Sequence, residues 1–289
     1  MSELVSLSLP EKTFILHGID VNFRNDGRSR LDCRPIELQT KIMDQVNGSA
    51  KLKIDDTEIL VGVKVEEDTP DENTPSEGKL EFFVDCSANA NPIFEGKGGD
   101  ELAKEISDAL ALAYKDVFDL TELCILPSKK CWKLYVDVLI LACGGNLFDA
   151  VAAAVKAALY STEIPQVKDA AVDGVEADIF VSDDIFNSVK LDVKNAPLLI
   201  SLCKIGDNYV VDPTPEEEVC SSATVVVAVM PNGRTSGGLK TGYGSLMVET
   251  WRKAIQIAKK VGVQLNNEIM KALEEEEKLG PNRALFGFL

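Results

Sequence analysis

Hydrophobic and polar positions alternate along Val61 to Glu66, with Val61, Val63 and Val65 on one side and Gly62, Lys64 and Glu66 on the other. That period of two, continuing from Ile59-Leu60, predicts a half-buried strand, and the Phe-rich run Leu80 to Asp85 predicts another, with residues 66–79 as an exposed loop between them. After the glycine-rich stretch Glu95 to Gly99, the period changes: Leu102, Ile106, Ala109 or Leu110, and Ala113 fall on one face of a helix for which Asp100 is the expected N-cap. Lys133 to Ala142 predicts a strand that leads through Gly144-Gly145 into an Ala-rich helix, Leu147 to Tyr160, striped by Phe148, Val151, Val155 and Leu159. Strands follow at Leu198 to Ile205, Tyr209 to Val211 and Ala223 to Met230, the last ahead of the Asn-Gly hairpin signal in Pro231-Asn232-Gly233. A final helix, about Leu246 to Lys278, carries Met247, Trp251, Ala254, Ala258, Gly262, Leu265, Ile269 and Leu273 at helical spacing and ends in the charge run Glu274 to Glu277.

Strands followed by a long helix, twice over, predict an α+β fold of two lobes, each with a mixed sheet packed against helices. Residues 163–197 hold eight Asp or Glu against three Lys, with Pro165, Gly174 and Pro197, and read as a solvated connection with one short strand. The expected organisation is an N-terminal lobe over 1–165, an acidic connection over 166–197, and a C-terminal lobe over 198–289 with the long terminal helix.

Charge narrows the function. Lys plus Arg is 30 and Asp plus Glu is 47, a net −17 in 289 residues, so contact with a phosphate backbone requires a local basic patch or help from partner subunits. Apolar runs such as Ala223 to Met230 fall far short of the roughly 18 residues of a bilayer span, and Met1 to Pro10 has no apolar signal core, so neither membrane insertion nor secretion is expected. A single histidine, His17, removes two-His zinc sites, facial triads and most His relays; any catalysis must rest on carboxylates, and no metal or cofactor is predicted. Seven scattered cysteines with no CxxC read as buried free thiols of a reducing compartment.

An ordered set of motifs spans nearly the whole chain: Arg24-Asn-Asp-Gly-Arg28, Gly48-Ser-Ala50, Leu60-Val-Gly-Val-Lys64, Phe82-Phe-Val-Asp-Cys-Ser87, Phe94-Glu-Gly-Lys-Gly-Gly-Asp100, Tyr135-Val-Asp-Val138, Cys143-Gly-Gly-Asn-Leu-Phe-Asp-Ala150 and Leu279-Gly-Pro-Asn-Arg283. With these motifs the chain resembles the RNase PH-like family, the ring subunits of the exosome among them. Active members degrade RNA from its 3′ end by phosphorolysis, and hold the attacking phosphate at a glycine-rich turn that ends in Thr-Arg or Ser-Arg at a helix start, where N–H groups, helix dipole and guanidinium converge on the anion.

Here that turn reads Gly144-Gly145-Asn146-Leu147, with Leu147 in the arginine's place and Asn146 left as an ordinary N-cap. The family's carboxylate pair, six residues apart for acid and metal work on the leaving oxygen, corresponds to Asp212 and Glu218, the second one methylene longer, with Pro213 and Pro215 restricting the backbone between them. A shift of about an ångström at a catalytic oxygen can cost about 100-fold. The resemblance therefore implies no catalytic residues: Asn146, Leu147, Asp212 and Glu218 are degenerate active-site positions. It also implies RNA contacts on the Asp100 helix, where two arginines of an archaeal counterpart align with Lys104 and Asp108, so Lys104, Lys97 and Arg28 are the candidate RNA-binding residues.

The expected role is a non-catalytic subunit of a six-member RNase PH-like ring, joined by RNA-binding cap subunits and a catalytic exosome nuclease to which RNA is threaded, in nucleus, nucleolus and cytoplasm. The alternative is a phosphorolytic exoribonuclease, or a contributor to a partner's phosphorolytic site. Position 147 discriminates between them.

Overall fold

The computed structural model describes residues 6–115, 117–173, 176–181, 187–280 and 286–288. A helix α1 (Leu9–Asp20) precedes strands β1 (Ile36–Thr40), β2 (Gly48–Ile54), β3 (Thr57–Asp68) and β4 (Lys79–Cys86), helix α2 (Asp100–Tyr114), strands β5 (Cys124–Leu126) and β6 (Lys130–Ala142), and helix α3 (Leu147–Ser161). Short strands β7 (Glu163–Pro165), β8 (Val167–Asp173), β9 (Glu176–Val181) and β10 (Ser188–Lys190) lead to β11 (Leu198–Ile205), β12 (Asn208–Val211), helix α4 (Pro215–Cys220), β13 (Ala223–Val229), β14 (Thr235–Thr241), helix α5 (Val248–Leu279) and β15 (Phe286–Phe288).

One sheet runs β15-β1-β2-β3-β6-β4, with β5 also on β6; all its pairings are antiparallel except β4 with β6. A second, antiparallel sheet runs β12-β11-β13-β14. Helix α3 lies between them, packed on β2 and β3 of the first and on β11 of the second. This placement explains its composition: a helix covered on both sides must be apolar all round, and small Ala side chains let both sheets approach. Every residue of α3 but Tyr160 is buried, including Lys156, whose Nζ donates to the Ala196 carbonyl (2.9 Å) and Asn266 Oδ1 (2.6 Å) and so ties α3 to α5. Burial lowers that ammonium to about 8. One apolar core extends through α3 into both sheets, and β15 pairs back onto β1, so the two halves of the chain share a core.

Several local expectations are corrected. Gly99, not Asp100, is the N-cap of α2, and Asp100 is its first residue, where a carboxylate still faces the positive end of the helix. The acidic stretch carries four short strands rather than one: β7 pairs with β10, and β8 with β9. Its abundant carboxylates hide the alternation of Glu176, Ala177, Asp178 and Ile179, which suits a strand. Residues 174, 175 and 182–186 of that stretch, and Pro281 to Arg283 of the last motif, lie outside the described residues. The glycine-rich run after Arg234 is strand β14, held by its register with β13 rather than by propensity.

Candidate functional site

The site forms where the β6–α3 turn meets the stretch after β12. Gly144 N–H donates to Thr57 Oγ1 (3.0 Å) and Thr57 Oγ1 donates to the Gly145 carbonyl (2.9 Å), so one hydroxyl closes both sides of the turn. Gly145 adopts φ +84°, and a Cβ there would stand 3.0 Å from the Pro213 carbonyl oxygen; only glycine lets the turn approach this closely. On the other side Thr214 and Glu217 form a capping box with Pro215 at the first turn, so the proline-bounded stretch starts α4. Helix α4 then sends Glu218 to the turn and Glu217 to Arg24.

Asp212, 3% exposed and in the left-handed region at φ +46°, is the hub. Its Oδ2 accepts from Arg34 N (2.7 Å), Arg34 Nε (3.0 Å) and Arg28 Nη1 (2.9 Å), and its Oδ1 accepts from Arg34 Nη2 (2.8 Å) and Asn146 Nδ2 (2.8 Å). Burial alone would raise this carboxyl, but the Arg34 guanidinium and N–H override it and hold it below the usual carboxylate range. Beneath it Arg24, 1% exposed, forks onto Glu217 (2.8 and 2.6 Å) and donates to the carbonyls of Asp32, Val211 and Asp212. The Arg24-Asn-Asp-Gly-Arg28 motif is thus a clamp: its two arginines, brought round by Gly27 at φ +85°, fasten the N-terminal loop to the Asp212 stretch.

Asn146 sits at the cap position of α3 but does not act as a side-chain cap. It takes φ +54° and sends its Nδ2 to Asp212, the stronger acceptor, while its own N–H is met by Glu218 Oε1 at 2.7 Å. Burial pushes Glu218 up to about 7, against the lowering by the Asn146 N–H and Arg34. Asp149, one turn into α3 and buried, is likewise pushed up to about 7 by burial, although Ser201 N–H donates to its Oδ1 at 2.7 Å. Leu147 is fully buried. A divalent cation does not fit beside Asp212: both its oxygens already face guanidinium groups and an amide, and a cation there would meet Arg34 and Arg28.

A family model described as "3′ exoribonuclease family, domain 1" matches residues 32–165, and one described as domain 2 matches residues 195–261. The chain belongs to the RNase PH family. A Sulfurisphaera tokodaii protein named exosome complex component Rrp42 is 34% identical, over 92% of this chain and 95% of its own. A Dictyostelium discoideum relative, provisionally named as an exosome complex exonuclease RRP42, is 32% identical, over 93% of this chain and 98% of its own. Among solved structures, a chain of an Archaeoglobus fulgidus exosome described with RNA bound to the active site superposes with a TM-score of 0.77 at 25% identity, over 89% of this chain and 96% of that one. The α+β RNase PH-like fold expected from the motifs is the fold of the chain.

Four of the seven singled-out residues, Asn146, Leu147, Asp212 and Glu218, meet at the family's turn, and Arg28 joins them as a half-buried ion-pair partner of Asp212 and Asp26 rather than as a free surface cation. Lys97 and Lys104 are exposed and make no contact with this cluster among the described residues. Sequence reasoning missed Arg24, Arg34 and Glu217. Arg24 opened the Arg24-Asn-Asp-Gly-Arg28 motif and Glu217 carried the Thr214-Pro-Glu-Glu217 capping box, whereas Arg34 carried no local signal.

The raised carboxyls make stability depend on pH. Asp149 holds a proton in the folded chain up to about pH 7 that the unfolded chain releases near 4, so its contribution is full below pH 4 and is lost as pH rises through 7. Asp212, shifted the other way, keeps its contribution down to pH values below 4. Unfolding by urea at pH 5 should therefore require about 2 kcal/mol more than at pH 8. Glu218, raised to about 7 by the same burial, adds to this difference, so Asp149→Asn should remove about half of it and Glu218→Gln much of the rest; an undiminished pH dependence in Asp149→Asn would exclude Asp149 as a source.

Proposed function

We propose that this chain is a non-catalytic subunit of an RNA exosome ring, supporting 3′ RNA processing by helping to pass RNA to a nuclease elsewhere in the assembly. The relatives named exosome complex component Rrp42 support the assembly; the partners in this reading are other RNase PH-like chains in a six-member ring, RNA-binding caps and the nuclease, in nucleus, nucleolus and cytoplasm. The observation that carries the inactivity is the engagement of Asp212. A carboxylate accepting five hydrogen bonds with its proton affinity lowered is a poor acid, and the turn that should hold phosphate presents buried Leu147.

A phosphorolytic reading draws on Glu218, whose carboxyl near 7 suits proton transfer. It lacks a cation free to hold the nucleophile, because Arg24, Arg28 and Arg34 are all committed to carboxylates. Co-expressed with RNase PH-like partners, the chain should co-purify in a ring, and alone it should release no nucleoside diphosphate from single-stranded RNA at millimolar phosphate. Phosphate-dependent release that disappears in Glu218→Gln would establish the enzyme instead.

Lys104 is the proposed phosphate contact on α2. One lysine–phosphate contact is independent of sequence and screened by salt, so Lys104→Glu should weaken RNA binding by the ring and flatten the log-log salt dependence by about one unit, leaving assembly intact. An unchanged slope would make Lys104 a plain surface residue.

A further inference from the structure

On α2 Lys104 is the one cation of an outward face that also carries exposed Glu101, Glu105 and Asp108, so that helix offers at most the single phosphate contact proposed above. The charges of α5 are arranged differently. Its inward stripe, Ala254, Ala258, Gly262, Asn266, Ile269 and Leu273, is buried against β11 and β13. At about 100° and 1.5 Å per residue, Arg252, Lys253, Gln256, Lys259, Lys260 and Gln264 fall within an arc of about 140° and about 18 Å of helix on the outer side. Lys259 is half-exposed and the other five are exposed.

These four cations are unneutralised in a chain of net charge −17. Lys41, Lys51, Lys79, Lys130, Lys133, Lys190 and Lys271 each pair with an acid; among the described residues other lysines such as Lys12, Lys53 and Lys64 stand singly, while Arg252, Lys253, Lys259 and Lys260 have no acid within 4 Å and gather on one helix face. The acids of the helix lie at its ends: Glu249 one turn before the strip, Glu268 beyond it and paired to Lys271, and the Glu274 to Glu277 run at the far end. The cationic surface also widens sideways. Lys253 shares a surface depression of about 780 Å³ with half-buried Lys204 and with Arg30, although Asp32 and Asp207 line it too. At the start of the helix Tyr243, 102% exposed, lines a second depression of about 510 Å³ with Trp251 and Lys240.

We propose that this face of α5 binds the phosphodiester backbone of single-stranded RNA, with Tyr243 as a stacking platform at one end. Cations and amides interrupted only by half-buried Val263 suit a sugar-phosphate backbone better than an acidic protein segment, which needs buried apolar contacts for affinity. The exposed Tyr243 ring, next to Lys240 ahead of the strip, can accept any base. The proposal deepens the RNA-handling role above by adding a path along the exposed side of α5, apart from the Asp212 cluster.

The test is fluorescence anisotropy of a labelled 20-nucleotide oligo(A) titrated with the full chain at several salt concentrations. Arg252→Gln/Lys253→Gln/Lys260→Gln should weaken binding at least 10-fold at low salt and reduce the slope of log K against log salt by about two units, from about 0.7 per lost contact on single strands. Tyr243→Ala should weaken binding with the slope kept. Urea unfolding should be unchanged in both, since these side chains are exposed. An unchanged slope in the triple variant, absence of binding by the unsubstituted chain at low salt, or polyglutamate displacing the RNA while binding more tightly would each overturn the assignment. None of these results bears on ring co-purification, which tests the subunit role separately.

Discussion

Asp212→Ala is expected to lower the free energy of unfolding by about 3–5 kcal/mol, because it leaves the buried Arg34 guanidinium and the half-buried Arg28 without their shared counter-charge. Five hydrogen bonds end on this carboxylate, and three come from guanidinium groups, so the cost is mainly that of stranding charge inside the protein rather than of losing a contact. Two comparisons separate these effects. Asp212→Asn keeps the shape and tolerates the left-handed backbone, but gives up the charge, and should lose less. The double variant Asp212→Ala/Arg34→Met should be more stable than Asp212→Ala alone, since the stranded cation leaves with its partner. Urea midpoints for the four proteins decide the matter. A loss under about 1 kcal/mol for Asp212→Ala would mean that water reaches the arginines and that the cluster is looser than its geometry indicates.

The same cluster shows what a single sequence reveals and what it does not. Helices α2 and α5 and strand β6 were legible because each buries one face and burial writes its period into the chain, and α3, β11 and β13 because burial on both sides makes them near-continuous apolar runs. Helix α1 was not: Leu9 and Phe14 are exposed while Ile15 and Ile19 are buried, so its apolar residues mark no single stripe. Strand β14, Thr-Ser-Gly-Gly-Leu-Lys-Thr, has weak propensity and exists because β13 offers it a register. At the site, Asn146, Leu147, Asp212 and Glu218 could be located through the family's motifs, but their meaning depends on partners far away in sequence. Arg34 lies 178 residues from Asp212, and Arg24 lies 193 from Glu217. No local pattern announces such a pair. The proline-bounded stretch looked like a restriction on catalytic geometry, whereas Pro215 opens the helix that delivers Glu217 to Arg24.

Leu147→Arg tests from the opposite direction whether the site is closed. The substitution returns the guanidinium that the family's turn carries, at the first residue of α3, where Leu147 is 0% exposed and belongs to the core that α3 shares with both sheets. Three arginines already occupy the neighbourhood, and the carboxylates of Asp212 and Glu217 are taken, so the new cation finds only Glu218, itself held by the Asn146 N–H. Burying it should cost at least about 3 kcal/mol in urea unfolding, against under about 1.5 kcal/mol for the volume-conserving Leu147→Met. No phosphorolysis should appear, because Asp212 remains engaged by Arg34 whatever stands at position 147. If instead Leu147→Arg unfolds at the unsubstituted urea midpoint and releases nucleoside diphosphates only when phosphate is present, the arginine has found an open anion site, and the inactivity proposed for this chain rests on one side chain rather than on the whole rewired cluster.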